Sequence, residues 1–310
     1  MISRRARFVR WVTSRYVQRL DPHSADVFEV RRKLDSFSRL LRKARGVKVE
    51  ATHINGLYAE WLRPKKTNSD RVLLYLHGGA YVLGSCSTHR KMVSHIARAA
   101  GINALVPEYR LAPENKFPAA IEDAVGLYRA LLAAGTKAEN IIIAGDSAGG
   151  GLTVATLLSL RHAGDPMPRA AILLSPFLDV TASGESAKTR ADKDPWFRAD
   201  DISAVVENYC SEEEVRHPMV SPVFANAAGL PPTFIQVGDH EILLSDSTRF
   251  ADNMREAGCS VEIEVWPEMW HVWQLFVGKM PESRQAIEKI ADYIRELGPQ
   301  QPVRSPNCIS

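Results

Sequence analysis

The segment between residues 141 and 151 places the strongest constraint on the fold of this chain. It begins with a short run rich in β-branched side chains, Ile141 to Ala144, and continues with Gly-Asp-Ser-Ala-Gly. Such an apolar run predicts a buried strand, and the stretch from Leu152 to Arg161 predicts a helix directly behind it. A Gly-x-Ser-x-Gly turn between a strand and a helix is typical of a nucleophile elbow.

The glycines of this turn have a steric explanation. In so sharp a turn, the residues on either side of the serine face backbone and neighbouring side chains, and Gly145 and Gly149 carry no Cβ that would clash. We therefore expect Ser147 to adopt a strained conformation with an exposed hydroxyl, with Asp146 supporting the turn. The helix N-terminus behind the serine favours developing negative charge. The alternative is a glycine-rich turn with an incidental serine, because the short motif alone has low specificity.

Length and composition narrow the possible classes of protein. A chain of 310 residues can form one large α/β domain or two smaller ones, and a net charge of +3 does not predict a nucleic-acid partner. No apolar run is long enough to span a bilayer. The four cysteines are scattered and no Cys/His cluster has zinc spacing, so we expect reduced thiols, a cytoplasmic location and no metal site.

The first 45 residues differ in pattern from the rest of the chain. Residues 1–20 carry six arginines and no acidic residue, and a second charged helix is predicted over residues 24–45. One face of the first predicted helix is apolar, formed by Val9, Val12, Tyr16 and Leu20. A basic amphipathic helix can lie on a membrane. We favour the more common arrangement, a helix packed on its own protein with a solvated basic face. The arginines interrupt any signal-peptide core.

Strands and helices alternate between residues 46 and 298. Period-two patterning over residues 47–62, with Asn55-Gly56 at its centre, predicts a β-hairpin. The alternation predicts a mostly parallel sheet that is covered by helices on both faces. Residues 183–229 break this rhythm and are interpreted as an insertion, and the polar tail at 299–310 is predicted to be disordered. Further strands are predicted at 71–76, 104–106, 141–144, 171–174, 233–237 and 261–265.

Acyl transfer by a serine needs an oxyanion hole, and a glycine pair after a buried strand offers one. His77 is followed by Gly78 and Gly79, whose small size lets backbone N–H groups approach a substrate oxygen. We expect the donors to be the amides of Gly78 and Gly79 together with that of Ala148, which follows the serine. The alternative is an ordinary glycine turn with a structural histidine.

The same chemistry needs a base and a group that orients it. His271 follows the last predicted strand, where the chain order serine, acid, histidine places the base. A buried core histidine is the alternative. Two carboxylates, Asp239 and Glu241, compete for the role of the acid on the loop after the preceding strand, and either could instead cap the following helix.

Four segments in this order resemble the hormone-sensitive-lipase-like esterases, the bacterial family IV carboxylesterases of the α/β-hydrolase fold. They are His77-Gly78-Gly79, Tyr109–Glu114, Gly145–Gly150 and Ser175-Pro176. The resemblance implies an eight-stranded sheet flanked by helices, in which the hairpin supplies the first two strands. It also implies a catalytic domain over 46–298 and a helical cap built from residues 1–45 and the insertion. The segment Tyr109–Glu114 is implied to support the oxyanion loop.

This sequence departs from the family pattern at two positions. Ala80 replaces the third glycine after the histidine, and we expect little effect because alanine is small. Glu241 stands where the family usually has the aspartate of Asp-x-Leu. The resemblance therefore favours Glu241 over Asp239 as the acid, since a glutamate can also orient an imidazole.

The implied activity is hydrolysis of short- to medium-chain acyl esters through an acyl-enzyme on Ser147. His271 is the expected base and Glu241 the expected acid, with no cofactor or metal. Lactone or acetyl-amide hydrolysis by the same triad is an alternative. A non-catalytic small-ligand receptor of the same fold is another, although the presence of His271 argues against it.

The substrate pocket and the partners are less constrained by the sequence. Tyr81, Trp196 and Phe197 are the predicted pocket residues, and the last two could equally be core aromatics of the cap. The expected partner is a small-molecule ester, and the resemblance makes a homodimer plausible.

Overall fold

Eight strands of the chain form one sheet in the order β1-β2-β4-β3-β5-β6-β7-β8. The structure is a computed structural model that describes residues 2–17, 26–67, 70–195 and 197–297. The strand β2 runs antiparallel to both of its neighbours, and all other pairs are parallel. The predicted α/β-hydrolase sheet is therefore confirmed. The strands are β1 Val47–Ile54, β2 Leu57–Pro64, β3 Val72–Leu76, β4 Asn103–Pro107, β5 Ile141–Asp146, β6 Ala170–Leu174, β7 Thr233–Gly238 and β8 Val261–Trp266.

Helices pack on both faces of the sheet. Two of them precede the first strand, and two lie in the predicted insertion between β6 and β7. The helices of the described residues are α1 Arg4–Val17, α2 Val27–Ser38, α3 Cys86–Ala100, α4 Ala119–Ala133, α5 Ala148–Ala163, α6 Ser186–Thr189, α7 Ala199–Tyr209, α8 Leu244–Glu256 and α9 Pro281–Glu296. None of them is long and apolar enough to cross a membrane.

The central strands are buried on both faces, which explains their continuous apolar runs. Along β5, Ile141 and Ile143 belong to the core on the side of α4, α5 and α8. Ile142 and Ala144 belong to the core on the side of α3 and α9. Side chains alternate between the faces of a strand, so a strand covered on both sides needs apolar residues at every position.

The helix α1 packs on α9 and the residues around Trp270 through a narrow face. Ala6 and Thr13 are buried. The Ser3 backbone N–H and hydroxyl both donate to the Glu282 carboxylate, at 2.6 and 3.0 Å. The prediction that this helix packs on its own protein agrees with these contacts.

The apolar face predicted for α1 is only partly correct. Val9 is half-buried, but Val12 is 44% exposed. The side chain of Tyr16 and the whole of Leu20 lie outside the described residues. The helix is turned so that small residues, Ala6 and Thr13, meet the protein, which leaves larger apolar side chains in solvent.

Three cysteines are free thiols in the part of the chain that the structure covers, namely Cys86, Cys210 and Cys259. Burial raises the pKa of the Cys86 thiol well above its usual range, which disfavours the reactive thiolate form. The predicted disordered tail at 299–310 lies outside the described residues.

Candidate active site

Ser147 stands at the turn between β5 and α5 with φ 51° and ψ −124°. A Cβ at Gly149 would collide with the Leu76 carbonyl, and one at Gly145 would collide with the Gly149 carbonyl. The helix begins at Ala148, earlier than the predicted Leu152, so the serine directly precedes the helix N-terminus. Because both flanking glycines are sterically required, the strained serine conformation is fixed by its surroundings.

Three side chains far apart in sequence form a continuous series of hydrogen bonds. His271 Nε2 lies 3.0 Å from Ser147 Oγ, and His271 Nδ1 lies 3.1 Å from Glu241 Oε2. A carboxylate only accepts, so Nδ1 carries the proton and Nε2 accepts from the serine hydroxyl. In this arrangement the imidazole can remove the proton of Ser147.

Asp239 lies near this series, but its hydrogen bonds are to other groups. Its Oδ1 accepts from the Glu268 N–H at 2.5 Å and lies 3.7 Å from His240 Nε2. Of the two competing carboxylates, the structure therefore brings Glu241 to the histidine and uses Asp239 to fix the loop after β8.

Ser175 holds the Glu241 carboxylate in place, although the sequence motif gave this serine no role. Its hydroxyl donates to Glu241 Oε1 at 2.9 Å and accepts from the Val272 N–H at 3.1 Å. Gly238 N–H donates to the same carboxylate oxygen. Ser175 and Val272 both have positive φ, 45° and 46°, a strained conformation that often occurs at functional sites. The only available signal was Ser175-Pro176 directly after a buried strand.

The environment of His271 changes its basicity. Burial alone would lower the pKa of the imidazole. The hydrogen bond and the negative charge of Glu241, with a smaller effect from Asp194, outweigh burial, so that the pKa lies above 6.5. The raised pKa makes the imidazole a stronger base for the serine proton.

Aromatic side chains surround the reactive groups. The Phe197 ring stacks on the His271 ring with centroids 5.6 Å apart, and it meets Phe177 edge-on at 6.0 Å. Tyr81 is buried and stacks on Tyr209 with centroids 3.8 Å apart. Of the three predicted pocket residues, Phe197 contacts the site and Tyr81 lies in the loop after β3. Trp196 falls outside the described residues.

The loop that is predicted to form the oxyanion hole differs from the prediction at Gly78. Its N–H donates to Asp146 Oδ1 at 3.2 Å, so this amide is already engaged within the protein. The N–H groups of Gly79 and Ala80 donate to no group in the part of the chain that the structure covers. Both residues have positive φ, 127° and 57°. The Ala148 N–H, at the first position of a helix, has no intrahelical acceptor.

A buried network behind the serine holds this loop. Asp146 accepts from the Tyr75 hydroxyl at 2.8 Å and from His89 Nε2 at 3.2 Å, in addition to Gly78. Burial would raise the pKa of Asp146, but the charge of His89 and these hydrogen bonds outweigh it, so that the pKa is lowered. No sequence motif predicted a role for His89. The available signal was a polar residue in the apolar stripe of α3, where a buried side chain needs a partner.

His77 supports the loop as a neutral ring. Burial lowers its pKa to about 3. Its ring stacks on Tyr109 with centroids 4.3 Å apart, and the Tyr109 hydroxyl donates to the His77 carbonyl at 2.6 Å. These contacts agree with a supporting position for both the His77 and the Tyr109–Glu114 segments.

The loop that carries Glu241 is held by the N-terminal helix and the insertion. Arg190 Nε donates to the Asp239 carbonyl at 2.7 Å. Arg10 donates to the Lys193 carbonyl at 2.6 Å and lies 2.8 Å from His240 Nδ1. Both segments therefore reach the neighbours of Glu241 in the chain.

Asp194 makes the most direct link between the insertion and the site. This buried side chain accepts from the Ile242 N–H at 3.3 Å and from the Phe197 N–H at 3.2 Å. One carboxylate thus fixes both the residue after Glu241 and the aromatic ring that covers His271. Within residues 2–17, 26–67, 70–195 and 197–297, no group of three or more potential ligand side chains is placed to hold a metal ion.

The sequence of this chain is similar to known hydrolases and esterases. A family profile described as alpha/beta hydrolase fold matches residues 73–275. An acetyl-hydrolase of Streptomyces hygroscopicus is 44% identical over 76% of this chain and 79% of its own length. An esterase of Acinetobacter venetianus is 34% identical over 85% of this chain and 87% of its own length.

Solved structures of esterases superpose on nearly the whole chain. An esterase from the bacterial hormone-sensitive lipase family superposes with a TM-score of 0.91 and 40% identity, covering 96% of this chain and 100% of that one. EstE5, in a crystal soaked with p-nitrophenyl butyrate, superposes with a TM-score of 0.89 and 38% identity, covering 95% and 99%.

Proposed function

Because this chain belongs to the hormone-sensitive-lipase-like carboxylesterases of the α/β-hydrolase fold, we propose that it cleaves esters through an acyl-enzyme on Ser147. The chain is a carboxylic ester hydrolase, so the receptor interpretation is set aside. The proposed mechanism rests on one observation. Hydrogen bonds of 3.0 and 3.1 Å link Ser147 to His271 and His271 to Glu241.

In the first half of the reaction, Ser147 Oγ attacks the carbonyl carbon of the ester. Its proton passes to His271 Nε2, and Glu241 stabilises the imidazolium that forms. The tetrahedral intermediate then collapses. The bond to the alcohol oxygen breaks, that oxygen takes the proton from Nε2, and the acyl group stays on the serine.

In the second half, water replaces the alcohol. His271 Nε2 takes a proton from the water as its oxygen attacks the acyl carbon. When this intermediate collapses, the proton returns to Ser147 Oγ, and the carboxylic acid leaves. The raised pKa of His271 suits it to act first as base and then as acid in both halves.

The proposed oxyanion hole consists of the amides of Gly79, Ala80 and Ala148. It replaces the predicted set of Gly78, Gly79 and Ala148, because Gly78 N–H is engaged by Asp146. Donors that are already in place stabilise the negative oxygen of both intermediates, and the loss of one typically lowers the rate by about 10²–10³-fold.

We propose short- to medium-chain acyl esters as substrates, with the optimum at the short end. The Tyr81 hydroxyl lies 2.8 Å from the position that a Cβ of Gly151 would take, one helical turn beyond the serine, and so limits the space there. Phe197 and Phe177 bound another side. The name of the acetyl-hydrolase relative and the p-nitrophenyl butyrate soak of EstE5 support small acyl groups.

The test is hydrolysis of p-nitrophenyl esters from acetate to long acyl chains. We expect wild type to prefer the short chains and Ser147→Ala to lose at least about 10⁴-fold in kcat/KM. Ser159→Ala, on the same helix, is the matched control and should retain activity. If Ser147→Ala kept its activity, the acyl-enzyme would be wrong. If long chains reacted best, the proposed pocket would be wrong.

A further inference from the structure

The outward side of α1 carries a pair of aromatic rings in solvent. Phe8 is 63% exposed and Trp11 is 54% exposed, and the two rings stack with centroids 6.1 Å apart. The guanidinium of Arg15 lies 4.7 Å from the centroid of the Trp11 ring. With Arg4 and Val12, these residues share one arc of the helix, since each lies three or four positions from another member of the set. We call this set the α1 outer face: Arg4, Phe8, Trp11, Val12 and Arg15.

The charge of α1 has one sign only. The helix contains five arginines and no acidic residue, and no acid occurs anywhere in residues 1–20. Arg10 turns inward to His240, while Arg4, Arg5, Arg7 and Arg15 are exposed. Exposed aromatic side chains among arginines on a helix without acids are the pattern of helices that lie in a membrane interface.

We propose that the α1 outer face binds the surface of a bilayer that contains anionic phospholipids. Phe8 and Trp11 enter the boundary between headgroups and acyl chains, and the arginines pair with lipid phosphates. Scattered exposed apolar residues need no explanation. Here, however, two stacked aromatics and a valine adjoin on one helical arc that is flanked by positive charge.

Charge argues against a second copy of this chain as the occupant of the face. A symmetric dimer places the same patch of both chains in contact. It would bring the arginines of one α1 against those of the other with no acid of either helix to pair them, and like charges in an interface are unfavourable. An anionic lipid surface supplies the complementary charge.

The inner face of α1 holds the helix firmly enough for this role. Ser3 bonds to Glu282, and Arg10 bonds to the Lys193 carbonyl and to His240. Ala6 is fully buried against a cluster that includes Trp270. Since His240 adjoins Glu241, binding of α1 to a bilayer would bring the edge of the molecule that carries the catalytic acid to the lipid.

The experiment is co-sedimentation of the full chain with vesicles of phosphatidylcholine containing 30% phosphatidylglycerol, and with vesicles of phosphatidylcholine alone. We expect binding to the anionic vesicles that weakens as salt is raised. Phe8→Ser/Trp11→Ser should bind at least about tenfold more weakly, and Arg4→Gln/Arg15→Gln about twentyfold more weakly at low salt. The matched controls, Val265→Ser/Tyr58→Ser and Arg98→Gln, replace exposed residues elsewhere and should bind as wild type does.

All of these variants should hydrolyse soluble p-nitrophenyl esters at the wild-type rate, which shows that they are folded. Ser147→Ala should bind vesicles normally, so a failure of lipid binding is distinct from a failure of the proposed mechanism. No binding to anionic vesicles at low salt would overturn the proposal. Unchanged lipid binding of Phe8→Ser/Trp11→Ser would also overturn it. If this variant changed its oligomeric state and not its lipid binding, the face would instead bind a second copy of the chain.

Discussion

Asp146 and Asp194 are both buried carboxylates beside the active site, and they hold different halves of it. Asp146 accepts from Tyr75, Gly78 and His89, which belong to the end of β3, the loop after it and α3. These contacts lie inside the α/β core. Asp194 belongs to the insertion and accepts from Ile242 and Phe197.

One half of the site is therefore fixed by the sheet, and the other half also depends on the N-terminal helix α1 and the insertion. The serine and the oxyanion loop are positioned by strands whose places are set by the sheet itself. The acid loop also depends on Arg190, Arg10 and Asp194, which lie outside the sheet. A change in the insertion should therefore alter the acid and the histidine while leaving the serine turn in place.

The largest effect is expected from Glu241, which lies in the half that depends on α1 and the insertion. Glu241→Gln should lower kcat by about 10²–10⁴-fold, because the imidazolium loses its counter-charge, while Asp239→Asn should cost much less. The reverse order in steady-state kinetics would show that Asp239 orients His271.

The same variant should shift the pH profile. Only neutral His271 can take the serine proton, so kcat/KM falls as pH drops through the pKa of this imidazole. Glu241 raises that pKa above 6.5. In Glu241→Gln the raising influence is lost and burial remains, so the acid limb should move to lower pH. Profiles of kcat/KM from about pH 5 to 9 measure this shift, and a limb that stays in place would contradict the assigned pair.

In the core half, Asp146→Asn should lower kcat by about 10²-fold with little change in KM, because the oxyanion donors act mainly in the transition state. Asp252→Asn, an exposed aspartate on α8, is the matched control. A rise in KM at constant kcat would show that Asp146 serves substrate binding instead.

The stability of this variant should also depend on pH. The pKa of Asp146 is lowered in the folded protein, so its ionised form stabilises the fold at neutral pH, and this contribution is lost as pH falls through that pKa. The difference in unfolding free energy between wild type and Asp146→Asn should therefore shrink in acid. Urea unfolding at several pH values would measure it.

The smallest effect is expected at the link between the insertion and the acid loop. Asp194→Asn should lower kcat by about tenfold through a less well placed Glu241 and Phe197. Because the Asp194 charge contributes to the raised pKa of His271, the acid limb of kcat/KM should also move slightly to lower pH. Asp192→Asn, two residues away and exposed, is the control. If both variants behaved alike, the acid loop would not depend on this link.

Local patterns in the sequence predicted the strands and the serine turn that the structure contains. Apolar runs such as Ile141 to Ala144 predict buried strands because a strand covered on both faces admits no polar side chain. Gly145 and Gly149 predict the turn because no other residue fits there. These requirements act between neighbours in the chain, so they can be recognised without the fold.

Only the tertiary structure decided which groups meet across the site. Ser175 reaches Glu241 over 66 residues, and His89 reaches Asp146 over 57. Gly78 and Gly79 are alike in sequence, but the amide of Gly78 is engaged because Asp146 ends the neighbouring strand. A hydrogen bond between distant residues depends on the packing of the strands that carry them, and no local pattern contains that information.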